Sequence, residues 1–175
     1  MIFKFSSIAL LFFISCGSSP KTTAALEKKT VSIEQLNCPD DGFCKIELLE
    51  KKKPELAFDE FNNSYLNYLD SQNSTIIFEY KKDQDPRVMD GGYREELIIP
   101  INDCLLIDGA VIDLSDHQIY YGRFCFCRGQ SGYFAINDGQ LTIKKVSANN
   151  FSIELQFSTN EVPHVLKHIR MYLTY

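Results

Sequence analysis

The sequence predicts an all-β fold, an antiparallel sandwich of about eight or nine short strands, with a small barrel as the second architecture. Three observations predict it. Apolar and polar residues alternate along several runs, the period of a strand buried on one face. Glycine, asparagine and aspartate cluster between those runs, where turns need positive φ or a local side-chain hydrogen bond. The runs recur roughly every twelve residues, the spacing of an antiparallel sandwich. With 175 residues, 45% of them apolar or aromatic, the chain can build the core of one ordinary domain.

The strongest strand signals lie near the C-terminus. Phe151, Ile153, Leu155 and Phe157 fall on one face, with Ser152, Glu154, Gln156 and Ser158 on the other. Leu141 and Ile143 alternate upstream with Thr142 and Lys144, and Asn149-Asn150 sits between the runs. This predicts a hairpin of strands 141–148 and 151–158. Ile169, Met171, Leu173 and Tyr175 then define a final strand. Further strands are expected at 43–49, 75–81, 94–101, 110–114, 119–127 and 132–136. Asp90-Gly91-Gly92, Asp108-Gly109, Gly129 and Asn137-Asp138-Gly139 supply turns between them. Residues 56–69 differ. Leu56, Phe58, Phe61, Tyr65, Leu66 and Leu69 recur at mixed three and four spacing, which predicts a short helix or irregular turn. No internal repeat and no second domain is evident.

Residues 1–15 read as an address. Lys4 gives a short positive region, Ile8 to Ile14 are apolar, and Ser15 precedes Cys16. The apolar stretch is too short to span a bilayer core of about 30 Å. Phe13-Ile14-Ser15-Cys16 resembles a relaxed lipobox, and the segment resembles a bacterial lipoprotein signal peptide. That resemblance implies cleavage before Cys16, diacylglycerol on its sulfur and an acylated amine. Each buried CH₂ contributes about 0.8 kcal/mol, so two or three chains would hold the protein on a membrane. Residues 16–30 are small, polar and Lys-rich and read as a flexible tether. Residues 31–175 form the domain. The body is similar to small β-rich envelope lipoproteins as a class, which implies a location and no mechanism. No acidic residue precedes Glu27 after Cys16, which points to an outer-membrane anchor facing the periplasm. The net charge of −5 and pI near 5.2 argue against a nucleic-acid partner. The expected partners are the membrane, through the lipid, and a protein or glycan.

Of six cysteines, five remain once Cys16 is lipidated. Cys38 and Cys44 flank the turn sequence Pro39-Asp40-Asp41-Gly42-Phe43 and are expected to form a disulfide. Cys125 and Cys127 share a face of one strand. In an extended strand their Cα atoms would lie roughly 6.5–7 Å apart, too far for easy bonding to each other. Cys104 is therefore expected to bridge to Cys125 or Cys127. The alternative is a soft-metal site or small enzyme built on Cys125, Cys127 and His117. No cofactor is expected. His164 and His168 share a face, but no CxxC or HExxH pattern is present.

Nothing in the sequence supports catalysis. There is no GxSxG elbow, phosphate loop or dinucleotide fingerprint. Asp83, Asp85, Asp90, Glu95 and Glu96 crowd one region and read as a solvated acidic hairpin loop, with a Ca²⁺ loop as the alternative. Tyr120, Tyr121, Phe124, Phe126, Tyr133 and Phe134 are concentrated together. Alternation directs some of them, Tyr121 and Tyr133 in particular, away from Phe124 and Phe126, as aromatics available for binding. The reading is a lipid-anchored, non-catalytic binding or assembly module.

Overall fold

The computed structural model describes residues 32–35 and 37–174. The expected signal peptide, Cys16 and tether lie outside the described residues. Among the described residues there are twelve strands and one short helix. The strands are β1 (Ser32–Gln35), β2 (Gly42–Leu49), β3 (Lys52–Phe58), β4 (Ser64–Asp70), β5 (Ser74–Lys82), β6 (Tyr93–Ile101), β7 (Ala110–Asp113), β8 (Ile119–Cys125), β9 (Gly132–Ile136), β10 (Asp138–Lys145), β11 (Asn150–Ser158) and β12 (His168–Thr174). The helix, α1 (Asp103–Asp108), follows β6. No helix among the described residues is long and apolar enough to cross a membrane.

The fold is an antiparallel β-sandwich. One sheet has the order β1-β12-β11-β10-β7, and the second has the order β2-β5-β6-β8-β9. Alternation sends one side-chain set from each sheet into the space between them. Ile153, Leu155, Ile169, Met171 and Leu173 come from the first sheet and Ile76, Phe78, Leu97, Ile99 and Tyr121 from the second. All of these are fully buried. The expected C-terminal hairpin forms, with Leu141 opposite Leu155 and Ile143 opposite Ile153. Its turn falls one pair earlier than Asn149-Asn150 suggests. Val146 N and Ser147 N both donate to Asn150 O. On the solvent face of this sheet, Glu154 lies opposite Arg170 and bonds both Arg170 and His168. These donors hold its carboxyl below the usual carboxylate range.

Residues 56–69 are not helical. β3 and β4 pair as a separate hairpin, with Leu56 opposite Leu66 and Pro54 opposite Tyr68. The turn overrides the mixed spacing. Asp59 Oδ1 accepts from Phe61 N and Asn63 N, and Asn62 takes the left-handed conformation at φ 63°. Read from this turn outward, Leu56, Leu66, Tyr68 and Pro54 share one face in period two. That face lies on part of the outer side of the second sheet. Thr75 Oγ1 donates to Lys52 O, and Tyr133 N donates to Ser64 Oγ. The hairpin explains why Ile98 and Tyr120 are buried although they point away from the main core.

The short helix also had no clear sequence signal. Asn102 caps it by accepting from Leu105 N at 2.9 Å, and Gly109 ends it at φ 72°. Its Leu106 reaches the core.

Candidate functional site

The β3–β4 hairpin covers only part of the outer face of the second sheet. Two cross-strand rows are left beside it. The register puts Lys45, Glu79, Glu96, Gly122 and Tyr133 in one row, and Phe43, Lys81, Arg94 and Phe124 in the next. Alternation places all of these on the face away from the core.

Within the rows the side chains are tied together. Arg94 Nη1 lies 3.3 Å from Glu79 Oε2 and 3.3 Å from Glu96 Oε1. Its guanidinium sits over the Phe124 ring, 4.2 Å from the centroid. Phe124 meets Tyr133 edge-to-face at 5.2 Å. The Tyr133 hydroxyl donates to Glu96 Oε2 at 2.6 Å. Burial, followed by this bond, raises the Tyr133 pKa, so the phenol stays a donor at physiological pH. Tyr68 reaches over from the hairpin, and burial followed by the charges of Glu96 and Glu47 pushes its pKa up to about 12. Gly122 makes the close packing possible. A Cβ there would lie 2.8 Å from Tyr133 Cε1 and 2.9 Å from Phe124 Cε2.

Two depressions result, with Glu79 lining both. One, of about 250 Å³, lies among Lys45, Glu47, Tyr68, Glu79, Glu96 and Tyr133. The other, of about 510 Å³, is floored by Arg94 and Phe124 and runs to Cys125 and Phe126. Together they form a shallow groove with rigid aromatic walls and a fixed guanidinium. Such a surface suits a planar or extended polar ligand, because Tyr, Phe and a held Arg give contact area at low entropic cost.

The structure corrects several expectations. Tyr121 is not a binding aromatic. It is fully buried in the core, with its ring 5.8 Å from Phe157 and 6.0 Å from His164. Tyr133 does lie on the outer face, on the same side as Phe124 rather than away from it. Cys125 and Cys127 are bonded to each other. The strand ladder ends at Cys125 and the chain bends at Phe126, which brings the two Cα atoms to 5.1 Å. Cys104 therefore does not bridge to Cys125 or Cys127, and it is otherwise engaged. His117 precedes β8 while the cysteines end it, so roughly 20 Å of strand separates them. His117 Nε2 lies 2.9 Å from Pro100 O instead. No cluster among the described residues has the donors for a metal ion. Cys38 and Cys44 are joined, with Cα atoms 5.9 Å apart, and both pack against the core.

The acidic run is likewise divided. Glu96 is nearly buried in the groove floor, and Glu95 is fully buried on the core side. Glu95 accepts from Val165 N at 2.6 Å, Leu166 N at 2.8 Å and the Tyr93 hydroxyl. It thereby fastens the segment between β11 and β12 to the end of the core. Arg123, opposite Glu95 in the register, bonds Gln130 at 2.9 Å.

The fold and groove define a class of surface, a β-sandwich with a half-covered outer sheet presenting an aromatic and ionic floor. Compared with known protein families, curated proteins and solved structures, the chain matches none.

Proposed function

We propose that this chain is a lipid-anchored protein of the bacterial cell envelope, held in the outer membrane facing the periplasm, and that its sandwich is a non-catalytic binding or assembly module. The observation that carries the binding role is the uncovered pair of rows on the second sheet. Arg94, Phe124 and Tyr133 are fixed there over the nearly buried Glu96, with part of each of the three side chains open to solvent. A sheet face with no function would be served as well by mobile charged residues. Fixing an arginine over an aromatic ring lowers the ordering cost of binding a partner. The lipoprotein-like signal supports the anchor, because it gives a reason for a cysteine to follow a short apolar run.

The test is site-specific photo-crosslinking in intact cells of the natural host. A photoreactive phenylalanine analogue at position 124 is expected to yield one discrete adduct to a protein or glycan. The same analogue at Tyr172, on the solvent face of the first sheet, is expected to yield none. Equal adducts at both positions, or none at position 124, would contradict a binding role for the groove.

A further inference from the structure

We propose that Cys125–Cys127, at the far end of the groove, is a redox-active disulfide that exchanges with an external dithiol. Four observations point to it. The bond joins residues only two apart in sequence, so it closes the smallest loop of the described disulfides and gains least from restricting the unfolded chain. Neither cysteine belongs to the hydrophobic core, whereas Cys38 and Cys44 both pack against it. Phe126 between the sulfurs is 84% exposed, an apolar contact set beside the bond. Cys125, Phe126, Cys127 and Arg128 line an open cavity of about 450 Å³. The Arg128 guanidinium there favours an approaching thiolate and the thiolate that leaves.

The two sulfurs differ in setting. Cys125 is held in the β8 ladder opposite Tyr93. Cys127 lies beyond the strand, at the start of a turn closed by Gln130 N donating to Cys127 O. The geometry assigns Cys127 as the sulfur attacked. A donor thiolate bonds to Cys127 Sγ, the Cys125–Cys127 bond breaks, and Cys125 leaves as a thiolate. The donor's second thiolate then attacks its own sulfur in the mixed disulfide and releases Cys127. The donor dithiol is oxidised to a disulfide. Cys125 and Cys127 are reduced by the same two electrons and take up the two protons the donor gives up.

The purified full-length protein in detergent is equilibrated with reduced and oxidised dithiothreitol in graded ratios, quenched with acid, alkylated and mapped by peptide mass. Cys125–Cys127 is expected to be half-reduced at a reductant ratio at least ten-fold lower than Cys38–Cys44. Equal or greater resistance of Cys125–Cys127 would overturn the proposal. Two variants test the chemistry further. With the peptide supplied in its oxidised, disulfide form, the Cys127 thiolate of C125S is expected to displace one sulfur of a Cys-X-X-Cys peptide and be trapped as a mixed disulfide, and C127S to trap several-fold less on Cys125. The reverse order would overturn the assignment of Cys127. F126A is expected to slow exchange with the peptide several-fold and leave exchange with dithiothreitol unchanged. Equal slowing with both donors would overturn the role of Phe126 as a contact for a protein dithiol and leave a small thiol as the donor.

Discussion

Replacing Glu95 with alanine is expected to lower the free energy of unfolding by roughly 2–4 kcal/mol, because one buried and two part-buried donors lose their acceptor together. Val165 N, Leu166 N and the Tyr93 hydroxyl all point at this carboxylate. Each orphaned buried donor costs about 1–3 kcal/mol. E95Q keeps one carbonyl acceptor and is expected to lose about half as much. Urea unfolding at neutral pH measures both. Hydrogen exchange gives a local readout, since the Val165 and Leu166 amides should exchange much faster in E95A while the β10–β11 ladder stays protected relative to global unfolding. A loss under 1 kcal/mol in E95A would show that the carboxylate does not fasten this segment. The neighbouring polar groups sharpen the expectation. The Tyr121 hydroxyl and His164 Nε2 are buried close by with no well-formed hydrogen bond, so this end of the core has little spare satisfaction to offer.

The second large effect is expected at Gly139, where β10 begins. Its φ is +138°, and a Cβ would overlap the Gln156 carbonyl oxygen and approach Phe157 Cα at 2.7 Å. Both atoms are backbone of the paired strand β11, so no side chain can move aside. G139A is expected to cost about 3 kcal/mol or more, from backbone strain and separation of the ladder. Gly129 is the control. Its φ is +70°, but a Cβ there meets nothing within 4 Å. G129A should cost only about 1 kcal/mol, the strain of a left-handed residue without a clash. Equal losses for the two variants in urea unfolding would contradict this reading.

The sandwich was legible because most strands are buried on one side. Phe151, Ile153, Leu155 and Phe157 could be assigned to one face from alternation alone, and their neighbours in β12 likewise. The β3–β4 hairpin was hidden because its turn carries Phe61 and its flanking strands carry Phe58, Tyr65 and Leu69, all exposed. Exposed apolar residues imitate a helical period, and only the Asp59–Asn63 capping geometry breaks it. The groove was half legible. Alternation can place Glu79 and Arg94 on a common face, but which strands are neighbours is a property of topology. Tyr121 and Tyr133 looked equivalent in sequence, and only the β8–β9 register separates them. The acidic run misled because the partners of Glu95 and Glu96 lie far along the chain, at Val165, Leu166 and Tyr133. Extended-strand spacing argues against a Cys125–Cys127 bond, and that spacing fails where the strand ends.

The anchor and the domain meet in one measurement, the intact mass of the protein extracted from host membranes and alkylated without reduction. The account predicts a chain beginning at Cys16 and carrying acyl chains, with no alkylation at Cys38 or Cys44. A chain that begins elsewhere and carries no lipid would contradict the proposed anchor and remove the protein from the membrane surface.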